Sequence, residues 1–597
     1  MRLTKLPKYF TSVIGLVGLF LTLSADTSHA DFTQEQSTVL NNANFDSRSA
    51  SLADIDNDGD LDLMFQGSVG AHQLFRNNFV GSGVLTYTNI TNTIPTGDLG
   101  PSWSAAWGDY DGDGLVDIFI GQSNIGGSGD VLKNNGVGGF SNESISTGLN
   151  DPGFHQNVAW ADINNDGLLD LLIGMEGPSS TDEKHEIYLQ GPGQSFTPVG
   201  AAVGFQQTEG IKGYGMAIGD TDGDGDLDVY ISTCRGNNSI RNNFYQNMLV
   251  ETGSLSFVDI ADTNGTQLMT NSYGTEFHDF DDDGDLDLFV VGADQQPNKI
   301  FRNNGGNMFT DVDTITGHDL ISDYAGDLNG GRPIDYDNDG DLDLFFHNHG
   351  KNGFQDNARK LYRNDGNWEF TDVTVAEGVH TLNQGAYDST WGDLDLDGDL
   401  DLVAATDSGW FERVFLSDES TNGNHWLFIE LAGTKENTTG IGASLYATIH
   451  QGTPQERTLR REANTSPGTF NQSDLPVHFG LGSATQIDEL RIQWPDGTSQ
   501  FIENVAVDQY LTIQSPGDFD GDGDVDDDDL IRWQTAYGSN AMTDSDLDGD
   551  SDGQDFLAWQ RNYGKGISQL TAATAVPEPT SVALFLLGAI PLLARPR

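Results

Sequence analysis

GDTDGDGDLD, residues 219–228, places an aspartate at almost every second position with glycines between them. Carboxylates this close repel one another, at roughly 1 kcal/mol per pair 4 Å apart in water. A chain that keeps them has a use for the charge. The same nine-residue pattern, D-x-[DN]-x-D-G-x-x-D, begins at Asp54, Asp109, Asp162, Asp220, Asp279, Asp335 and Asp393. Consecutive starts lie 53 to 59 residues apart. Seven copies in register, each with glycine at position six, define a repeat architecture.

Side chains at positions one, three, five and nine converge on one point if the chain curls tightly, and glycine at six supplies a turn that a β-carbon obstructs. Hard oxygen ligands in this number suit calcium, which accepts about six to eight of them in a flexible shell. No histidine or cysteine sits in the pattern, which disfavours transition metals. The candidate ligands in the first three copies are Asp54, Asp56, Asp58 and Asp62; Asp109, Asp111, Asp113 and Asp117; and Asp162, Asn164, Asp166 and Asp170. Asn164 in place of a carboxylate is expected to weaken the third site. Copies four and five offer Asp220, Asp222, Asp224 and Asp228, then Asp279, Asp281, Asp283 and Asp287. The last two offer Asp335, Asp337, Asp339 and Asp343, then Asp393, Asp395, Asp397 and Asp401. Position seven is Asp60, Asp226, Asp285, Asp341 or Asp399 in five copies but Leu115 and Leu168 in the other two. A backbone carbonyl ligand there explains the indifference to side chain.

No acidic residue recurs at position twelve of these loops and no helix follows. Each loop instead runs into a short apolar stretch (LMF, IFI, LLI, VYI, LFVV, LFF, LVAA) that reads as a buried strand. Further strands follow, such as QLFRNN, VLKNN and KIFRNN, then MFTDVD or EFTDVT. With the strand ahead of the loop, each period predicts a four-stranded sheet of the kind that forms a propeller blade. The approach to the sixth loop, GGRPIDYDND, is irregular, so that blade is the least regular expected. The last copy lacks a fourth strand after RVFLSD, and DFTQEQSTVL, residues 31–40, is the candidate to supply it and close the ring.

Residues 31–420 resemble the FG-GAP/VCBS repeats of integrin α-subunits and many bacterial secreted proteins. That resemblance implies a seven-bladed β-propeller whose aspartate loops bind calcium. From 421 to 515 the chain lacks such loops and alternates strands with glycine and Asn/Asp turns, a small β-sandwich-like domain. NHWL, GIGA, HFGLG and IQWPDG within it resemble the ASPIC/UnbV domain, which commonly follows these repeats, as in the cartilage acidic proteins. Residues 516–566 hold two different units. Asp518, Asp520, Asp522, Asp526 and Asp529 occupy positions one, three, five, nine and twelve, as do Asp544, Asp546, Asp548, Asp552 and Asp555. Helix-like runs LIRWQTAYG and FLAWQRNYG follow, which is the second half of an EF-hand. The pair resembles a type I dockerin, implying a small α-helical calcium-binding unit that either docks on a cohesin-like partner or stiffens a spacer. Trp533 and Trp559 read as its core. Calcium is thus the expected cofactor, at up to nine sites.

The 597 residues carry 91 Asp+Glu against 28 Lys+Arg, a formal charge of −63. Nucleic-acid phosphates would be repelled. With 36% hydrophobic and 10% aromatic residues the chain still buries cores. A single cysteine, Cys234, excludes an intramolecular disulfide and reads as a small buried hydrophobe. Residues 1–30 (basic start, apolar run VIGLVGLFLTL, S-H-A before Asp31) read as a secretory signal peptide. Beyond a linker at 567–575, VPEPTSVALFLLGAIPLLARPR (576–597) resembles the PEP-CTERM sorting signal of Gram-negative-type bacteria, implying an exosortase-type processing enzyme and an extracellular or cell-surface location. There is no H-E-x-x-H, nucleophile elbow or CxxC. His347 and His349 in FFHNHG read as a loop pair rather than a metal site. The best functional reading is a secreted calcium-binding protein for extracellular adhesion, with a glycan or protein ligand. The alternatives are a calcium-dependent carbohydrate-active enzyme of the polysaccharide lyase kind, or a structural matrix component.

Overall fold

The computed structural model describes residues 32–34, 40 and 46–566, less 68–71, 96–98, 124–126, 137–138, 151, 176–184, 207–212, 235–240, 294–295, 317–327, 349–358, 381–385, 407–411, 419–421, 467, 471, 473, 539–542 and 548–549. The proposed leader, linker and sorting signal lie outside the described residues.

Each aspartate loop joins two antiparallel strands. The innermost strands are Ser47–Ala53, Ala105–Gly108, His155–Ala161, Gly213–Gly219, Ser272–His278, Leu328–Ile334 and Ala386–Gly392. Each stops at the residue before position one of its loop. The second strand starts at position nine, from Asp62–Gly67 in the first copy to Asp401–Thr406 in the last. Two further strands complete each sheet, and the described residues form seven such four-stranded sheets. Second strands such as DLMFQG are buried along their whole length because each serves two cores. Met64 packs with Trp107 and Ile118 of the second sheet, whereas Leu63 and Phe65 pack with Val403 and Val414 of the seventh. Innermost strands touch in a closed cycle, Ser47–Ala53 meeting both Ala105–Gly108 and Ala386–Gly392. The protein is mainly β, and this part is a β-propeller.

In the seventh sheet the outer place beside Arg413–Leu416 is held by Thr33–Gln34, with Thr33 opposite Leu416 and Gln34 opposite Phe415. Of the expected closing segment 31–40, residues 31 and 35–39 lie outside the described residues. Phe32 packs edge-on against Trp391 at 5.9 Å. The sixth sheet is not the exception that its sequence suggested. Leu328–Ile334 pairs along its length with Asp343–Asn348, with a bulge near its start like that of five other sheets. Pro333 is tolerated because the innermost strand is a sheet edge.

After the propeller, a three-stranded sheet (Val477–Gly482, His425–Ala432, Gln509–Gln514) faces a four-stranded one (Arg457–Glu462, Ser444–Ile449, Gln486–Gln493, Ser499–Ala506) around one apolar core. Two helices follow, Asp527–Ala536 and Gly553–Asn562, each opened by a capping box, Asp526 with Asp529 and Asp552 with Asp555. The indole of Trp533 donates to the Asp552 carbonyl at 2.7 Å, and that of Trp559 to the Asp526 carbonyl at 2.6 Å. These tryptophans lock the two units together.

Between Arg457–Glu462 and Val477–Gly482, the described residues bond to the innermost strands. Trp160 donates its N–H to Thr465 Oγ1 at 2.8 Å, and that hydroxyl donates back to the Trp160 carbonyl at 2.7 Å. Ile218 N–H reaches Ser466 Oγ at 3.1 Å, Thr275 N–H the Gly468 carbonyl at 3.2 Å, and Trp107 N–H Gln472 Oε1 at 2.9 Å. An innermost strand is an edge whose N–H groups need partners, and this segment supplies them. Phe470 reaches a cluster with Tyr214, Ala293 and the fully buried Cys234.

Candidate metal centres

The loops are built by their own backbone. Asp54 Oδ1 accepts from the Asp58 N–H at 3.1 Å and Oδ2 from the Gly59 N–H at 2.8 Å. Asp393 repeats this with Asp397 and Gly398, at 3.2 and 2.7 Å. The curl needs left-handed backbone at position six, with φ of +93° at Gly59 and +100° at Gly398. Position four is left-handed too, even at Leu396, φ 56°. Position nine anchors the loop base: Asp62 accepts from the Ile55 N–H at 3.2 Å and the Asn77 N–H at 2.7 Å. Asp287 does the same with Phe280 and Asn303.

Carboxylates therefore gather. Asp54, Asp56 and Asp58 present oxygens within 4.8 Å of one another, as do Asp109, Asp111 and Asp117; Asp220, Asp222 and Asp224; and Asp279, Asp281 and Asp287. At position three a buried oxygen, Oδ1, of Asp111, Asp281, Asp337 and Asp395 has no hydrogen-bond partner, nor has Asp117 Oδ2 at position nine. An all-oxygen donor set with orphaned buried atoms fits a hard divalent cation. Burial pushes the Asp62 carboxyl up to about 8, and burial with its loop neighbours pushes Asp117 to about 9 and Asp397 to about 8. The negative charge is under-compensated. In the third loop Asn164 donates its amide to Asp166 Oδ2 at 3.0 Å, so this loop partly satisfies itself.

Third-strand side chains, which the sequence pattern did not flag, also reach the loops. Arg302 Nε lies 2.5 Å from Asp281 and its Nη2 2.9 Å from Asp283. Lys133 contacts Asp111 and Asp113, Gln246 donates to Asp222 at 2.7 Å, and Arg76 stands 3.6 Å from Asp56. Their signal was the residue just before the Asn of FRN, LKN and YQN.

The domain after the propeller sits on this loop face. Arg457 Nε lies 2.7 Å from Asp282, and Arg460 donates to the carbonyls of Gly284 at 2.8 Å and Asp220 at 3.2 Å. Arg461 donates to the Gly340 carbonyl at 3.2 Å and stands 3.8 Å from Asp335 Oδ2. Thr438 donates to Asp109 Oδ2 and Tyr510 to Asp393 Oδ2, each at 2.6 Å.

In the first helical unit Asp518 accepts from the Gly521 and Gly523 N–H groups at 2.8 and 2.9 Å, and Asp520 Oδ1 is a buried orphan. Position twelve is turned inward: Asp529 accepts from the Phe519, Asp520 and Asp526 N–H groups. Lys435 contacts Asp524. In the second unit Asp555 accepts from the Ser545 N–H at 2.7 Å and the Asp552 N–H at 2.6 Å; Asp548 lies outside the described residues. His347 is a correction, because it sits within a strand rather than a loop. Its Nδ1 is 3.1 Å from Ser389 Oγ and burial pushes its pKa down to about 3. His349 lies outside the described residues.

A family profile described as FG-GAP-like repeat matches residues 54–120, 109–173, 279–346 and 335–404, and one described as ASPIC and UnbV matches 433–518. These repeat matches take in every loop but the fourth, whose strands form a four-stranded sheet of the same kind as the rest. The chain carries FG-GAP repeats and an ASPIC/UnbV domain. Cartilage acidic protein 1 of Xenopus tropicalis is 25% identical over 540 residues, covering 83% of this chain and 78% of that protein. The Mus musculus protein is 22% identical over 510 residues, covering 79% and 74%. Among solved structures, the chain is similar to BBS1N from its complex with ARL6DN (12% identity, TM-score 0.40, 65% of this chain and 98% of that one). It is also similar to the Dos1 propeller (10%, 0.37, 63% and 93%) and to an Agrocybe aegerita lectin (17%, 0.34, 59% and 94%).

Proposed function

We propose that this is an exported calcium-binding protein whose cation-loaded, seven-bladed propeller presents a surface for an extracellular glycan or protein ligand. The observation that carries the calcium reading is the set of buried, unpartnered position-three oxygens on Asp111, Asp281, Asp337 and Asp395. A hard cation satisfies them and offsets the charge that burial leaves uncompensated. Up to nine ions are expected, one per propeller loop and one per helical unit. The two helical units act as a dockerin-like pair, either binding a cohesin-like partner or stiffening the chain near its sorting signal. Export rests on residues 1–30 and 576–597.

The placement of the ASPIC/UnbV domain supports the ligand reading. It bonds to several propeller loops and to innermost strands, so the ligand is expected at the opposite ends. The test is glycan-array and cell-surface binding by the calcium-loaded chain, repeated after chelation. Calcium-dependent, saturable binding is the expected result. Cleavage of a bound polysaccharide would instead favour the lyase-like alternative.

A further inference from the structure

We propose that Thr438 and Tyr510 of the ASPIC/UnbV domain are positioning residues for the cations of the second and seventh propeller loops. Docking of that domain and cation binding then reinforce each other. This rests on the calcium reading above.

The geometry is the same at two places 284 residues apart in the repeats, Asp109 and Asp393. Each is the position-one aspartate. Its Oδ2 already accepts the N–H of the position-six glycine, Gly114 at 2.7 Å and Gly398 at 2.7 Å. The Thr438 or Tyr510 hydroxyl adds a second donor to that same oxygen, at 2.6 Å in both cases. Two donors from different directions on Oδ2 hold the carboxylate plane fixed, while Oδ1 faces the N–H groups of its own loop, Gly112 and Asp113 at Asp109 and Asp397 at Asp393. Both hydroxyls come from rigid surroundings. Tyr510 lies in strand Gln509–Gln514 and stacks on Phe428 at 4.9 Å. Thr438 stands in a turn closed by the hydrogen bond from the Gly433 N–H to its own carbonyl, at 2.8 Å. Partners of metal-binding carboxylates act in this way, and losing one costs about 10- to 100-fold in metal affinity. Asp54 and Asp279 provide internal controls, because the hydrogen bonds to their side chains come from their own loops.

The coupling also has a direction. A filled loop fixes the oxygen that the hydroxyl seeks, so cations favour docking. A docked domain pre-orients the ligand, so docking favours cations. Linkage requires the two effects to be equal in free energy.

The test uses the full chain and the variants T438V, T438S and Y510F, crystallised and equilibrated with the same limiting terbium concentration. Anomalous scattering then reads occupancy loop by loop, and a calcium titration against a chromophoric chelator gives affinity in solution. Expected are loss of occupancy at the second loop in T438V and at the seventh in Y510F, equivalent to about 10- to 100-fold weaker binding. Loops one and five stay unchanged, and T438S, which keeps the hydroxyl, restores loop two. Unchanged relative occupancies in T438V and Y510F overturn the inference while leaving the calcium reading intact, as does a uniform fall across all loops. A wild-type chain that takes up neither ion overturns the calcium reading, and this inference with it.

Discussion

The side-chain amide of Asn77 donates to the backbone oxygen of Leu394 at 2.8 Å, tying the third strand of the first sheet to the loop of the seventh. The same staple recurs around the ring. Asn134 reaches Ile55, Gln190 reaches Tyr110, Asn247 reaches Ile163 and Asn303 reaches Thr221, at 2.7 to 3.1 Å. Each takes the carbonyl at position two of the preceding loop. Loop shape and blade packing are therefore joined by the same atoms.

Asn77→Ala removes a buried donor and leaves the Leu394 carbonyl without it. A destabilisation of about 1–3 kcal/mol follows, read from denaturant unfolding of the calcium-loaded chain. Asn134→Ala behaves alike. No shift in either midpoint would contradict the staple.

Phe32→Ala tests closure. Phe32 is 4% exposed, packs on Tyr336 and Trp391, and precedes the two residues that pair with the seventh sheet. Loss of a buried aromatic costs about 3–5 kcal/mol, so the melting temperature falls and self-association increases as the edge is exposed. A variant that stays monomeric with an unchanged melt refutes ring closure through this segment.

Thr465→Val keeps the shape of the segment between Arg457–Glu462 and Val477–Gly482 but removes both bonds to Trp160. The cost is about 1–3 kcal/mol, and the propeller and ASPIC/UnbV domain still unfold together, as calorimetry will show. Two separated transitions would mean that this segment does not unite them.

The metal-free chain has a pH dependence of defined sign. The folded-state pKa values of Asp62 and Asp117, about 8 and 9, lie above the ordinary carboxylate value of 3.8 because burial disfavours the charged form. Between these limits the folded state holds more protons than the unfolded one, so stability falls as pH rises from about 4 towards 9. On the proposed calcium reading the ion competes with those protons, so its affinity is expected to rise over the same window. Chemical denaturation with and without chelator at pH 5 and pH 8 checks both signs; a chelated chain more stable at pH 8 contradicts them.

How much of this was legible beforehand depends on locality. The nine-residue spacing placed each loop, and the apolar run after it placed the second strand, because both are set within a dozen residues. GGRPID misled because a glycine-rich, proline-bearing stretch has low strand propensity, yet its pairing with Asp343–Asn348 overrides that. Arg457, Thr438 and Tyr510 could not be assigned to the loops from sequence, since a docking geometry has no local period. The Asn of FRNN was visible as a recurrence, but its use as a staple needed the neighbouring blade. The bonds that Thr465, Ser466, Gly468 and Gln472 make to the innermost strands had no signal beyond the polarity of that stretch.

We propose that the aspartate loops are cation sites that hold the fold together. Thermal unfolding of the full chain, with bound calcium counted by elemental analysis before and after exhaustive chelation, tests it most directly. Several calcium ions per chain, and a melting temperature that drops on chelation and recovers when calcium is restored, are predicted. A calcium-free chain that melts at the same temperature with and without chelator would contradict the account.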